Sequence, residues 1–528
     1  MKTKPISSWF FIYGPPGSGK TTLARKLASS LSLPFYDLDE VIEAGLGVTI
    51  PEIFSEIGEI GFREKENAAL GEVLSKPSGV LALGGGSLLR EDNRKLVDEK
   101  GQLLCLSAPF ETLSSRLDLI SNQRPLLNGD SRRLLFDLLM QREAHYSTFP
   151  LRLDTSLWPL DEAVWQAQIL LGMFYIKGMG SGCAMRVAND GLMDLGDYLL
   201  SLGMSGPVAV VTDENVAIHY LDKVLDSIQE LGYQSYSIVI PAGETSKSIE
   251  TISLLWRKFL EARLERRSTV IALGGGVVSD LAGFAAATYL RGVPWVAVPT
   301  SLLGMVDACL GGKTGIDLPQ GKNLIGAFHS PDLILVDPNT LSTLPESELR
   351  NGMAEVVKHS IIADESLFEL LHNLGMNNLP DITLHINIAE LVSRAMSVKI
   401  KVIETDPYER DERAILNFGH TLGHAIEKGS GYRIKHGEAV SIGMVSVTRL
   451  SERLKFAESG LTNTLKDLLK LLGLPTELPD WLDREQLVST MEYDKKRLDG
   501  KARLVLPVRI GQVKYGVELE DLRMLLEE

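Results

Sequence analysis

Short apolar runs recur along this chain, and most are followed by stretches in which apolar residues return every three or four positions. The first run, Trp9-Phe10-Phe11-Ile12-Tyr13, leads into a glycine-rich loop and then into a helical spacing marked by Leu23 and Leu27. This alternation predicts a small α/β domain over residues 1–172, whose last helix starts near the Pro159-Leu160-Asp161-Glu162 turn and runs through Trp165 and Ile169. Lys177-Gly178-Met179-Gly180-Ser181-Gly182 reads as a junction, too short to let two halves wander apart. Beyond it, Val208–Val211, Tyr236–Ile240 and Thr269–Leu273 read as strands of a second α/β domain, expected over residues 173–345. The β pattern then fades and helical spacing takes over, which predicts a mainly helical domain over residues 346–528.

Composition narrows the class. A chain of 528 residues with 44% hydrophobic and 23% charged residues reads as globular, and it is too long for one ordinary core. The net charge of −15 leaves no domain-wide basic face, so nucleic acid is not an expected partner. Anionic small molecules remain open, because a local pocket of Lys and Arg can override a distant net charge. Cys105, Cys183 and Cys309 are scattered and form no CxxC pair, as expected of reduced thiols in a cytoplasmic protein. The apolar run at Trp9 is too short for a signal sequence or a membrane span.

Gly14-Pro15-Pro16-Gly17-Ser18-Gly19-Lys20-Thr21 matches GxxxxGK[ST], between an apolar strand and a helix. The loop glycines free backbone N–H groups to face phosphates, Lys20 reaches the transferred phosphoryl group, and Thr21 can ligate Mg²⁺. Asp37 and Asp39 stand at alternate positions after Phe35, so on a continuing strand both carboxylates would point the same way. One suits Mg²⁺ and its waters, the other a polyol. Arg63 near Glu66, the loop Gly84-Gly85-Gly86, Arg124 and Arg142 add cations and exposed backbone for an anionic ligand.

The second half carries other chemistry. Gly274-Gly275-Gly276 follows a strand and enters a helix, a weak signal by itself for a pyrophosphate site. His420 and His424 are four apart, on one face if helical, and His436-Gly437-Glu438 follows. With Glu355 these groups can supply two imidazoles and a carboxylate, a donor set that leaves a metal open to substrate. Spacing does not say which three bind.

These motifs carry two resemblances. The P-loop, Asp37 and Asp39, Gly58-Glu59 leading to Phe62-Arg63, the Gly84–Gly86 loop, Arg124-Pro125-Leu126 and Arg142 resemble shikimate kinase across nearly the whole first part. From about residue 175 onward the chain resembles 3-dehydroquinate synthase. The blocks that carry this likeness include Gly243-Glu244-Thr245-Ser246-Lys247, Gly274 to Asp280, Tyr289-Leu290-Arg291-Gly292 and Pro299-Thr300-Ser301. They continue through Asp307, Gly311-Gly312-Lys313, Gly321-Lys322-Asn323, Ala354 to Lys358, the His420/His424 block and His436. The implied fold is a P-loop kinase domain with a helix-flanked parallel sheet. A Rossmann-like α/β domain and a mainly helical C-terminal domain follow.

For the kinase, the resemblance implies that Gly17, Ser18, Gly19, Lys20, Thr21, Thr22, Asp37 and Arg124 serve ATP and Mg²⁺. Asp39, Arg63, Gly85, Gly86 and Arg142 would bind shikimate, with Lys20 and Asp39 catalytic. For the synthase, Glu355, His420 and His436 map to zinc ligands, leaving His424 for acid–base work. Asp213, Asn215, Glu244, Lys247, Gly275, Val277, Asp280, Thr300, Ser301, Lys322 and Thr343 map to the NAD site. Arg291, Asp307, Lys313, Lys322, Asn323, Lys358, Lys399, Arg413, Asn417 and one lysine near Lys495 map to substrate groups, Lys313 and Arg413 among the catalytic set. The implied reactions are 3-phosphorylation of shikimate by ATP and conversion of 3-deoxy-D-arabino-heptulosonate 7-phosphate to 3-dehydroquinate plus phosphate, with NAD recycled in each turnover. The resemblance also implies a homodimer through the synthase half. The alternatives are another sugar-phosphate cyclase in the second half, or an ATP-sensing module in the first.

Overall fold

The computed structural model describes residues 9–118, 131–177, 180, 182–375, 388–409, 412–497 and 502–527. The chain forms two compact units. The first comprises residues up to Tyr175 together with Asp197–Gly203, and the second comprises Ile176–Gly196 and everything from Met204 onward.

The first unit is built on five parallel strands: β1 (Trp9–Tyr13), β2 (Phe35–Asp37), β3 (Val80–Ala82), β4 (Gly101–Ser107) and β5 (Arg152–Asp154), in the order β2-β3-β1-β4-β5. β1 is buried along its whole length, as its unbroken apolar run requires of a central parallel strand. Its side chains divide between two cores, Phe10 and Ile12 on one face of the sheet and Trp9, Phe11 and Tyr13 on the other. The helix Lys20–Leu31 covers the first face with Leu23, Ala24, Leu27, Ala28 and Leu31. Burying each leucine there contributes roughly 1.5–3 kcal/mol. The last helix, Leu160–Leu171, lies where the Pro159 turn predicts it, and β6 (Met173–Ile176) follows at the boundary of the two units.

In the second unit β7 (Cys183–Val187), β8 (Ser205–Asp213), β9 (Ser235–Ile240), β10 (Ser268–Gly274), β11 (Trp295–Pro299) and a later strand, Leu333–Val336, run parallel. Between β11 and that last strand the chain forms an antiparallel hairpin, β12 (Lys313–Leu318) and β13 (Gly321–Phe328), so Leu333–Val336 is β14. The parallel order is β7-β14-β11-β10-β8-β9. From β8 the chain moves to one side, to β9, and then returns to the other side at β10. The crevice beyond the C-terminal ends of β8 and β10 is therefore a topological switch point, where open α/β sheets take ligands.

Helices dominate after residue 345, led by Glu346–Ala363, Ile388–Thr405, His420–Gly429 and His436–Arg453. The chain also returns to β structure in an antiparallel hairpin, β15 (Ala502–Arg509) and β16 (Gln512–Leu519), turning through Gly511 at φ 77°. The helical reading of the last domain missed this hairpin. Among the described residues, no helix is long and apolar enough to cross a membrane.

Candidate functional sites

In the first unit the loop after β1 turns through Gly17 and Gly19, both left-handed at φ 80° and 88°, and delivers Lys20 to the N-terminus of its helix. A Cβ on Gly17 would lie 2.8 Å from the Leu113 carbonyl oxygen, so the close approach of two backbones demands glycine there. Lys20 Nζ donates to the Pro15 carbonyl at 3.1 Å, and Ser18 is buried with its hydroxyl on the same carbonyl. Thr21 Oγ1 donates to Asp37 Oδ2 at 2.7 Å, which brings together the hydroxyl and carboxylate expected to serve Mg²⁺. Thr22 follows in the first turn of the same helix.

The expectation that Asp37 and Asp39 share a strand face is corrected. β2 ends at Asp37, which caps the helix Leu38–Leu46 by accepting from the N–H groups of Asp39 and Glu40, so Asp39 sits in the first helical turn. A short side chain that accepts backbone N–H bonds ends the strand more readily than it extends it.

Asp39 nevertheless faces the glycine loop. A Cβ on Gly84 would lie 3.2 Å from Asp39 Oδ1 and 2.8 Å from Glu66 Oε1. Arg63 donates to Glu66 at 2.7 Å and to Glu59 at 3.2 Å. Glu66 is fully buried; burial raises its carboxyl, and the Arg63 guanidinium partly offsets the shift. The Gly85 carbonyl accepts three donors: Arg142 Nη1 at 3.2 Å, Tyr146 OH at 2.7 Å and Tyr13 OH at 3.3 Å. Asp39, Arg63, Gly85, Gly86 and Arg142 thus converge on one loop. Tyr13 and Tyr146, which fasten it, were missed; Tyr146 follows Arg142 by four positions on one helix face, a spacing that could have signalled it. Arg124 lies outside the described residues.

In the second unit the dinucleotide candidates gather at the switch point. Asp213 ends β8 and caps the next helix through the N–H groups of Asn215 and Val216. Gly274 ends β10, and Gly275 precedes the helix Gly276–Thr288, which carries Val277 and Asp280 in its first turns. A Cβ on Gly275 would lie 3.3 Å from Ser301 Oγ, while Thr300 N–H donates to the Gly274 carbonyl at 3.1 Å. The helix N-terminus is thus presented across bare backbone, a cradle that a side chain would fill and that suits a pyrophosphate. Lys247 binds Asp280 at 2.8 Å, also contacts Asn323, and lies 3.9 Å from Glu244. Thr343 bonds Tyr220 OH at 2.6 Å.

The metal candidates come from three helices. Glu355 is fully buried, and neither of its carboxylate oxygens has a hydrogen bond of ordinary geometry. His420 Nε2 lies 3.6 Å and His436 Nε2 3.4 Å from Glu355 Oε1. Both rings are anchored at the opposite nitrogen: His420 Nδ1 at the Phe418 carbonyl, 3.0 Å away, and His436 Nδ1 at Glu427 Oε2, also 3.0 Å away. With both Nδ1 atoms turned away, the two Nε2 atoms and the Glu355 carboxylate face one point, which fits a divalent metal. Burial drives His420 down to about 3 and holds it neutral. Burial also opposes charge on His436, but bonds to Glu355 and Glu427 outweigh it and raise the metal-free ring to about 10, so a metal bound at Nε2 would displace a proton there. His424 is exposed, its ring 5.3 Å from that of His420.

Cations surround this point. Lys358, fully buried, pairs with Glu355 and lies 3.8 Å from Asp307. Lys399 donates to both the carbonyl and the carboxylate of Asp307 at 2.7 Å. Arg413 is buried, donates to the Pro407 carbonyl at 2.9 Å and lies against Gly311. Lys313, on β12, pairs with Glu409, and Lys322, on β13, lies 3.7 Å from both Glu244 and Glu427. Asn417 is exposed at the end of a short helical turn. Arg291 stands in a left-handed turn with no hydrogen-bond or ion-pair partner among the described residues, so no such contact joins it to the others. The side chain of Lys495 lies outside the described residues. Two groups near this point were missed, Glu427 and the buried His359.

Comparison with known proteins finds two families along the chain. The family model described as shikimate kinase matches residues 16–164. Those described as 3-dehydroquinate synthase N-terminal and C-terminal match residues 237–351 and 352–497. A 3-dehydroquinate synthase of Synechocystis is 43% identical over 342 residues, covering 64% of this chain and 94% of that relative. One from Prochlorococcus marinus is 45% identical over 348 residues, covering 65% and 93%. Among solved structures, 2-epi-5-epi-valiolone synthase from Streptomyces hygroscopicus, with NAD⁺ and Zn²⁺ bound, is 28% identical with a TM-score of 0.60, covering 65% of this chain and 94% of that one. 2-Deoxy-scyllo-inosose synthase shares the fold at 24% identity and a TM-score of 0.61, covering 67% and 98%.

Proposed function

The chain belongs to the 3-dehydroquinate synthase family and carries a shikimate kinase region ahead of it, and from that premise we propose how its own residues divide the work of a bifunctional shikimate-pathway enzyme. The kinase occupies residues 1–172, and the synthase comprises a dinucleotide domain over 173–345 and a metal and substrate domain over 346–528. Substrates are shikimate and ATP with Mg²⁺ for the first part, and 3-deoxy-D-arabino-heptulosonate 7-phosphate for the second. NAD and zinc serve the synthase, as they are bound in the valiolone synthase of matching fold. The protein works in the cytoplasm, where its three buried cysteines stay reduced, and forms a homodimer through the synthase half.

In the kinase, the loop N–H groups and Lys20 hold the phosphates, and Thr21 with Asp37 holds Mg²⁺. Arg63 and Arg142 grip the shikimate carboxylate beside Gly85 and Gly86, while Asp39 orients the attacking hydroxyl. Little covalent work falls to the protein; placement and charge neutralisation dominate.

In the synthase, bound zinc would polarise substrate hydroxyls, and bound NAD would accept and return a hydride. Glu355, His420 and His436 hold the metal. Asp213, Asn215, Glu244, Lys247, Gly275, Val277, Asp280, Thr300, Ser301, Lys322 and Thr343 hold the dinucleotide at the switch point. Lys313, Lys358, Lys399, Arg413 and Asn417, with Asp307 and Asn323, orient the substrate, and the cations among them stabilise the departing phosphate. His424, exposed beside His420, serves as the acid–base group. The observation that carries this reading is the buried Glu355 carboxylate, paired with Lys358 and facing the Nε2 atoms of both His420 and His436.

The test is phosphate release from 3-deoxy-D-arabino-heptulosonate 7-phosphate by zinc-loaded full-length protein with catalytic NAD. Equal amounts of phosphate and 3-dehydroquinate, well beyond the NAD supplied, are expected, and a chelator should stop both. No turnover by folded, zinc-loaded protein would refute the synthase assignment.

A further inference from the structure

Glu427 is a carboxylate beside the metal candidates that neither the ligand set nor the substrate set uses. It lies on the helix His420–Gly429, seven residues after His420 and two turns along the same face. Its side chain is 14% exposed and its two oxygens are divided. Oε2 accepts from His436 Nδ1 at 3.0 Å, and Oε1 lies 3.7 Å from Lys322 Nζ. His436 therefore stands between two carboxylates, with Nδ1 toward Glu427 and Nε2 toward Glu355. A ring held in this way has one tautomer and one orientation, with its remaining lone pair fixed on the metal point.

Lys322 makes the arrangement more than a local brace. Its ammonium is 3.7 Å from Glu244 as well as from Glu427, and Glu244 lies 3.9 Å from Lys247, which binds Asp280. A line of alternating charges thus runs from Asp280, near the start of the dinucleotide helix, to the back of a metal ligand. Lys322 also confines Glu427, since a carboxylate facing both an imidazole N–H and an ammonium has little reason to rotate inward.

We propose that Glu427 is a positioning residue for the metal site: it fixes the His436 tautomer and ring orientation, is itself held by Lys322, and never ligates the metal. The inference rests on Glu355, His420 and His436 as the ligand set. The geometry offers one competitor, because His424, Glu427 and His436 also come within reach of a common point. Glu427 would then be a ligand itself.

Full-length protein stripped of metal is titrated with Zn²⁺ against a competing chromophoric chelator, as wild type, Glu427→Ala, Glu427→Gln and His420→Ala. Glu427→Ala is expected to weaken Zn²⁺ binding by on the order of 10–100-fold. Glu427→Gln keeps an oxygen for the Nδ1–H and should lose less. Saturated with Co²⁺, Glu427→Ala should retain the visible absorption of the wild type, because its ligands are unchanged. Thermal unfolding of the same preparations, followed by circular dichroism, reports that the synthase half is folded. Zn²⁺ affinity within threefold of wild type in both Glu427 variants overturns the proposal, and so does a Co²⁺ spectrum that loses a ligand. Undiminished binding by His420→Ala would instead overturn the ligand set beneath it.

Discussion

Gly86→Ala isolates the proposed carboxylate grip of the kinase with a single methyl group. Gly86 has φ −125°, so alanine meets no backbone strain there. The cost is steric and local. A Cβ at Gly86 would lie 3.0 Å from Arg63 Cζ and 3.1 Å from Arg142 Nη1, with Arg63 Nη2 closer still, where ordinary contact begins at 3.4 Å. The guanidinium of Arg63 must retreat by on the order of 1 Å at its tip, and a misplacement of that size costs roughly 100-fold when it moves a substrate-positioning group. The guanidinium is the far end of a flexible side chain, so the fold should absorb the shift while the function does not. Steady-state phosphorylation of shikimate should show kcat/KM for shikimate falling on the order of 100-fold, about 2.7 kcal/mol of transition-state stabilisation. The KM for ATP should stay within about threefold, because the P-loop does not move. Gly45→Ala supplies the control, since a Cβ there meets nothing within 4 Å. A Gly86→Ala enzyme with unchanged kcat/KM for shikimate, or with ATP and shikimate affected alike, would refute the placement of the carboxylate between the two arginines.

Two further outcomes follow from the same geometry. Lys20→Ala should abolish shikimate phosphorylation while leaving phosphate release from the heptulosonate phosphate largely intact, read by assaying both reactions on one preparation. Asp307→Asn removes the shared counter-ion of Lys358 and Lys399 and should destabilise the synthase half by about 3 kcal/mol in thermal or denaturant unfolding, the low end for a broken buried pair because a quarter of the Asp307 side chain stays exposed. Burial opposes ionisation of Asp307, but the two ammonium groups outweigh it and hold the carboxyl below its ordinary value of 3.8. Its contribution is therefore fully present above pH 3.8, so wild type and Asp307→Asn should differ fully at neutral pH, begin to converge below 3.8 and meet only as pH falls through the still lower folded-state value.

The parts of this structure that the sequence discloses are those where local chemistry and long-range packing agree. The P-loop declares itself because its full pattern sits between a strand and a helix and Gly17 also meets the close backbone approach at Leu113, whereas the Gly274–Gly276 turn is a weak signal by itself. The imidazoles of His420 and His424 are legible from helical periodicity alone. Asp37 misleads, because a carboxylate after a strand reads as strand until its capping bonds to Asp39 and Glu40 are seen. β13 was silent for a different reason: most of Gly321–Phe328 is exposed on both faces, so it lacks the alternation by which strands are read. That hairpin nevertheless delivers Lys322 and Asn323, whose association with Glu427 and Lys247 is purely tertiary. Glu427 itself was within reach of sequence reasoning, since positions 420, 424 and 427 share one helix face.

An acidic chain that handles anionic substrates must keep its cations charged in places where water is scarce. Here this is done by local pairing rather than by net charge. Arg63 is matched to Glu66, Lys247 to Asp280, Lys358 to Glu355 and Lys399 to Asp307, and each pair is at least partly buried. Such pairs rarely add stability over well-packed apolar residues. Lys358 and Glu355 show the conflict most clearly, for both are fully buried and a methionine at 358 would cost less to desolvate. Their retention makes sense if the carboxylate is also a metal ligand and the ammonium also a substrate contact. Metal binding then draws on Glu355 and leaves Lys358 with charge to spend on the substrate, so the lysine should hold an anionic substrate more strongly in the metal-loaded protein than in the stripped one.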